Sequence, residues 1–510
     1  SSHLGLSGAG GWGRTARQRG AGASEMAAGG TAVAHADSGA AEHAEPKAAH
    51  PGWRRRCMHT PRPSPGFVAG CSNFSIQYNY ASASIATAVM LSHRDSTGNH
   101  AEPDYPEPQW AQDFMPSMVF VGSVVGMLTM GYLGDLLGLQ RALALTNSLT
   151  VLGALASGLL SWGGPGAVWG VVAGSRLLLG VGVGGNYPLS AAKAAASAPT
   201  DEAVARAGEA FFWQGPGSIA PYLLGLGLLR LPRTAHITSW QFRILLVAGA
   251  VPALVVLCAT LLESDSAEAV PLRERELGGA LWERKHWRTL LGTGGAWFLF
   301  DVAFYGTVIF SPSILEHVFG AQQSLSDLAL RAAFMAVVGM LGTLSGLAAL
   351  RRATAKTLNT AGLGAAALLF AAFSAAYGLL PGWHWTLFAL LCLLFFALSA
   401  GPNVATFVLP VVSFPPEVRS TFHGLSAASA KVGAMVGALL FPLLDLRLGV
   451  RAVVAVQALV CLAGVLLSHC CLEAEPSPRA PGARKDFVAL KPEADAEPPP
   501  LALGRAAQGA

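Results

Sequence analysis

Twelve stretches of this 510-residue chain are apolar for about 20 residues or more, the length a helix needs to cross the hydrocarbon of a bilayer. They lie near 66–91, 111–134, 142–162, 166–192, 207–229, 243–262, 289–315, 330–350, 357–380, 384–412, 421–444 and 451–471. Hydrocarbon offers no partner to a backbone N–H or C=O, so each run is committed to helix. The expected fold class is therefore an all-α membrane protein with 12 transmembrane helices. Composition agrees: 52% of residues are hydrophobic and only 13% charged, against about 25% charged in an ordinary soluble domain. A net charge of +4 gives no basis for nucleic-acid binding.

An even number of spans puts both termini on one side, and Lys and Arg decide which. With the termini inside, inner segments hold 25 of the 34 basic residues and outer loops hold 7. The termini are expected to be cytoplasmic. The expected domains are a disordered cytoplasmic N-tail over 1–65, a six-helix half over 66–262, a cytoplasmic linker over 263–288, a second six-helix half over 289–472, and a disordered C-tail over 473–510. Two six-helix halves with a polar site between them is the layout of an alternating-access transporter.

The first 50 residues are rich in Ala and Gly and contain no apolar h-region, so no secretory signal is read there. Arg14, Arg17 and Arg19 in an acid-free start weakly resemble a transit peptide. The seven cysteines show no paired spacing and suggest neither a disulfide framework nor a zinc site. Cys470 and Cys471 are open to palmitoylation or to burial as small hydrophobes.

One residue resists the apolar pattern. Asp301 is the only charge between Thr289 and Leu315, and a carboxylate at mid-membrane costs roughly 2.5–3.5 kcal/mol on insertion scales. By default it marks a substrate, proton or counter-ion site; a salt bridge between helices is the plainer alternative. Trp297, Asp301 and Tyr305 recur every fourth residue and so share one stripe of a helix.

Several motifs surround it. Gly131-Tyr-Leu-Gly-Asp135-Leu-Leu-Gly138-Leu-Gln-Arg141 follows the second span and resembles the loop signature of the major facilitator superfamily, with Asp135 and Arg141 able to pair across a gate. Arg176-Leu-Leu-Leu-Gly180-Val-Gly182-Val-Gly184-Gly185-Asn186-Tyr187-Pro188-Leu189-Ser190 lies inside an apolar run, so its glycines, Gly182 and Gly185 among them, suit close helix packing better than a nucleotide loop. Its end resembles the Gly-Gly-Asp-Tyr-Pro-Leu-Ser signature of the phosphate:proton symporter family within that superfamily. Phe211 to Gly215, Trp297 to Tyr305, Gly401 to Phe407, and Phe414 to Lys431 resemble further segments of that family in the same order. The resemblance runs from about 66 to 472 and implies the major facilitator fold.

It also implies that Tyr187, Gln214, Trp297, Asp301, Tyr305 and Asn403 line a phosphate site with Lys431 close by, Asp301 taking the proton. Such residues supply hydroxyl, indole and amide donors with one cationic counter-charge. Each also has a plainer role: the aromatics as packing, Gln214 and Asn403 as partners for backbone broken at Gly215 and Pro402, His423 as loop packing. Lys431 lies too deep to snorkel. Gly424-Leu-Ser426 resembles half of a hydrolase motif, but no base accompanies it, so no enzyme is expected.

The chain departs from the family at four usually acidic positions, where Ile76, Asn79, Asn186 and Val412 stand. Asn keeps shape and hydrogen bonding but cannot carry a proton, which leaves Arg176 short of a partner. Glu209 is read as a helix-start acid. The expected function is proton-coupled phosphate transport through Asp301, in a multi-pass protein of the plasma membrane, without cofactor or metal. The alternatives are uncoupled or sodium-driven anion transport, a facilitator for organic anions or sugars, and a phosphate receptor that does not transport.

Overall fold

The computed structural model describes residues 63–90, 105–197, 202–229, 235–263, 278–279, 281–320, 325–379 and 382–473. Nearly all of both expected tails and most of the expected linker lie outside these residues. The described chain is helical almost throughout: α1 Pro65–Met90, α2 Gln109–Leu137, α3 Leu139–Leu159, α4 Pro165–Ala196, α5 Ala203–Phe212, α6 Gln214–Leu229, α7 Ala235–Ala248, α8 Ala250–Leu262, α9 Arg284–Phe319, α10 Leu325–Leu350, α11 Ala355–Leu379, α12 His384–Leu398, a π-helical turn Ser399–Asn403, α13 Val404–Ser413 and α14 Arg419–Cys471.

Within the described residues helix makes up most of each of the twelve apolar stretches, and eight runs are long and apolar enough to cross a bilayer. The stretches outside that eight are 66–91, 207–229, 289–315 and 330–350. Three of these four carry buried polar residues, including Asn73, Gln214 and Asp301, which lower their apolarity. Leu152, Leu159, Leu254, Leu261, Leu368 and Leu466 point outward, and so broad an exposed apolar surface requires lipid around it. This is a multi-pass membrane protein.

Breaks in the helices follow local chemistry. Gly138 has φ 90°, a conformation that side chains resist, and it turns α2 into α3 within one residue. Gly449, at φ 76°, kinks α14 between the expected spans 421–444 and 451–471. Pro402 has no N–H to give, and the π-helical turn forms around it.

Small residues let backbones touch where no hydrophobic force between helices exists. A Cβ added to Gly126 would meet the Val181 carbonyl oxygen of α4 at 2.0 Å. Likewise Gly433 and Gly437 of α14 abut the Phe298 and Val302 carbonyls of α9. These contacts hold α9 against α14 and α2 against α4, and so fix the helices that carry the polar centre.

Candidate functional site

Five of the expected site residues, Tyr187, Trp297, Asp301, Tyr305 and Lys431, meet in one cluster. Asp301 on α9 accepts a hydrogen bond from Lys431 Nζ on α14 at 3.2 Å, and the same ammonium donates to Tyr305 Oη at 3.0 Å. Trp297 lies one turn before Asp301 on the same face of α9. The ammonium is 4.3 Å from the Tyr305 ring centroid, 5.5 Å from that of Tyr187 and 5.9 Å from that of Tyr80. Exposure is 1% at Asp301, 2% at Lys431 and at Tyr187, and 4% at Trp297, while Tyr305 is half-buried.

The plainer reading of Asp301 as half of a salt bridge is therefore met as well. A bare ion pair, however, needs no third partner such as the Tyr305 hydroxyl, nor three tyrosine rings around the ammonium. Breaking a buried pair by removing one partner typically costs about 3–5 kcal/mol, so neither charge is expendable in this setting.

The opposite wall comes from α1, α4 and α6. Gln214 Nε2 donates to Asn73 Oδ1 at 2.7 Å, and Gln77 Nε2 donates to Gln214 Oε1 at 2.8 Å and to Tyr187 Oη at 3.4 Å. Tyr80 donates to Ser123 Oγ at 2.7 Å. Asn73, Gln77 and Tyr80 were not singled out in the sequence. Their spacing of four and three residues within an apolar stretch, which puts them on one helix face, was the available signal.

Asn403 sits half-buried on the π-helical turn, and among the described residues no hydrogen bond or ion pair joins it to the cluster. His423 is a packing residue: its Nε2 is 3.0 Å from the Phe407 carbonyl oxygen, and its ring meets Trp297 and Phe407 edge-on.

The usually acidic positions are occupied as neutral groups. Asn186 and Asn147 form a reciprocal amide pair, Asn147 Nδ2 to Asn186 Oδ1 at 3.1 Å and Asn186 Nδ2 to Asn147 Oδ1 at 3.3 Å. Asn79 Nδ2 donates to the Ser75 and Gly249 carbonyls at 2.9 and 3.0 Å. Arg176 is buried and donates to the Asn79 carbonyl at 3.0 Å and to Ser82 Oγ at 3.5 Å; no carboxylate pairs with it among the described residues. Glu209 corrects its expectation. It lies in the interior of α5, exposed, and pairs with Arg206 one turn earlier at 3.2 Å.

At one end of the bundle Asp135 joins α2 to α14. Its carboxylate accepts from the Ser420 N–H at 3.1 Å, the Thr421 N–H at 2.7 Å and the Thr421 hydroxyl at 2.7 Å. These are free donors at the start of α14, where an anion is also favoured by the helix dipole. Among the described residues no bond joins Asp135 to the exposed Arg141. Gly182 and Gly185 lie in close contact with neighbouring helices: a Cβ on Gly182 would lie 2.3 Å from Thr150 Oγ1, and one on Gly185 would lie 2.6 Å from the Met130 side chain.

The profile of the sugar (and other) transporter family matches residues 67–268 and 267–474. The chain belongs to this transporter family. Among relatives of this transporter, the inorganic phosphate transporter PT2 of Toxoplasma gondii is 36% identical over 71% of the chain and 64% of the relative. The low affinity inorganic phosphate transporter 5 of Petunia hybrida is 30% identical over 65% of the chain and 74% of the relative. The matched segment thus spans less than two thirds of the Toxoplasma protein. Among solved structures, the proton:xylose symporter XylE superposes with a TM-score of 0.65 at 15% identity, covering 79% of this chain and 94% of that one. The E. coli fucose:proton symporter FucP gives 0.61 at 13% identity over 80% and 99%. The chain has the major facilitator fold.

Proposed function

We propose that the protein is a secondary transporter of inorganic phosphate, coupled to protons through Asp301 and working by alternating access. In this reading the twelve stretches are twelve spans in two six-helix halves, with the linker at 263–288 and both termini cytoplasmic, in the plasma membrane. The observation that carries it is the buried Lys431–Asp301 pair, 3.2 Å apart, with the Tyr305 hydroxyl on the same ammonium and the rings of Tyr187 and Tyr80 beside it. Relatives named as phosphate transporters support the same substrate.

The chemistry follows from charge. An ionised Asp301 holds Lys431 and repels an incoming anion. Two like charges about 4 Å apart repel by ~4 kcal/mol at an effective dielectric near 20, roughly a thousandfold in affinity. Protonation removes that repulsion, frees the ammonium for a phosphate oxygen, and turns the carboxyl into a donor. Proton and phosphate therefore bind more tightly together than apart, which is the linkage a symporter requires. Asp135 on the N-termini of α14 closes the cytoplasmic side, and its release accompanies inward opening. Arg141, Arg176, Gly182 and Gly185 serve gating and packing, while Asn403 reaches the anion in another conformation.

A second reading, transport without proton coupling, is favoured by the amide pair Asn147–Asn186 and by Asn79, which stand at usually acidic positions.

Counterflow in proteoliposomes tests the substrate. Protein loaded with unlabelled phosphate should accumulate labelled phosphate, and external xylose, fucose or citrate in hundredfold excess should not compete. An absence of phosphate counterflow, or its strong inhibition by a sugar, contradicts the proposal.

A further inference from the structure

The amides on α1 and α6 have a fixed direction. Asn73 is wholly buried and its amide lies 2.9 Å from the Ala69 carbonyl oxygen. A carbonyl only accepts, so Asn73 must present Nδ2 there and Oδ1 on its other side. Gln214, 2.7 Å from that Oδ1, must then present Nε2 to it and Oε1 to the next residue. Gln77, 2.8 Å from Gln214 Oε1, must in turn present Nε2. One backbone carbonyl thus orients three side-chain amides in series, and no amide can be reversed without setting two oxygens against each other. Ser190 is consistent with this order: it receives a bond from Asn73 at 3.2 Å and gives one to the Tyr187 carbonyl at 3.3 Å.

The relay ends at the anion site. Gln77 Nε2 also reaches Tyr187 Oη at 3.4 Å, so Tyr187 is an acceptor on that side and its own O–H is left for another partner, while its ring lies 5.5 Å from the Lys431 ammonium. Across the site Lys431 treats Tyr305 in the same way, donating to its oxygen at 3.0 Å.

We infer that the Asn73–Gln214–Gln77 relay presets Tyr187 as a hydrogen-bond donor, which makes Gln77 a positioning residue that biases the site toward ligands rich in acceptor oxygens. Tyr187 and Tyr305 then both offer O–H. A tetrahedral oxyanion accepts both, whereas a polyol must supply donors that find few acceptors. This inference rests on the proposed phosphate site and adds a reason for its selectivity within a family that includes sugar transporters.

The test is a double-mutant cycle on purified protein, with inorganic phosphate as the probe in calorimetry and in flux. Gln77→Met keeps the bulk and removes the donor; it should raise Kd and KM for phosphate about three- to tenfold, the range of one net hydrogen bond, with little change in kcat. In a Tyr187→Phe background, Gln77→Met should add less than a twofold effect, because the hydroxyl it orients is gone. The isosteric Gln77→Glu, which offers Gln214 and Tyr187 only acceptors, should weaken phosphate further and serves if Gln77→Met does not fold. Equal losses with and without the Tyr187 hydroxyl overturn the positioning role. Unchanged affinity in both Gln77 variants, with wild-type protein transporting phosphate, removes the relay alone. A wild-type protein that binds no phosphate removes the functional reading and the relay with it.

Discussion

Lys431 Nζ on α14 lies 3.2 Å from Asp301 Oδ2 on α9, and both side chains are almost fully buried. The ammonium is the one group in the cluster able to neutralise a bound anion, and in this conformation the carboxylate holds it. In the proposed transport cycle, substrate and Asp301 compete for a single cation.

Replacing that cation should abolish transport and strain the fold. Lys431→Gln leaves Asp301 buried alone, and a stability loss of about 3–5 kcal/mol is expected. The double variant Asp301→Asn/Lys431→Gln should recover most of that stability in thermal unfolding and still show no phosphate binding. Full uptake by Lys431→Gln would remove the counter-charge role.

Asp301 is also the only carboxylate in the cluster, and hence its acceptor for a proton carried by the ligand itself. Phosphate near neutral pH carries a proton and sulfate does not. While Asp301 is ionised, sulfate in hundredfold excess should leave wild-type phosphate binding unchanged, because sulfate brings no proton to relieve the repulsion. Asp301→Asn should let sulfate compete. The check is calorimetric displacement, and equal sulfate sensitivity in both proteins contradicts the argument.

How much of this was visible in the chain depends on the reach of each signal. Apolar length and turn residues act locally, so the stretches and the break at Pro402 are readable, and the stripe Trp297, Asp301, Tyr305 emerges on one side of α9. Helical spacing gives a residue's face but not the helix that face meets. Asp135 finds Ser420 285 residues away, where Arg141 six residues on was the expected partner. Asn186 finds Asn147 39 residues earlier, a pairing that explains how a neutral residue is accommodated at a usually acidic position. Gln77 went unnoticed for the same reason, since its partners Gln214 and Tyr187 lie on two other helices.

The Asp135 bonds predict a conformational shift. Asp135→Asn substitutes an N–H for one acceptor against the α14 amides, so the closed arrangement should weaken by about 1–2 kcal/mol, around tenfold in population. Electron spin resonance distances between labels on the outer surfaces of α2 and α14 should lengthen in the variant. An unchanged distance distribution contradicts the gate.

Two glycines separate folding from gating. Gly126→Ala drives a methyl into the Val181 carbonyl of α4, 2.0 Å away, and Gly424→Ala drives one into the Met127 carbonyl of α2, 2.2 Å away. The first contact lies within what is proposed as one half, so Gly126→Ala should lower the yield of folded protein. The second bridges the proposed halves, so Gly424→Ala should fold and populate the arrangement with α2 and α14 apart. Size-exclusion profiles and the same label distances check both.

Proton coupling through Asp301 is the central claim, and labelled phosphate uptake into proteoliposomes with and without an inward proton gradient measures it most directly. Wild-type protein should take up phosphate several-fold faster with the gradient, and Asp301→Asn should show no such stimulation. Gradient-driven uptake that survives intact in Asp301→Asn contradicts the account.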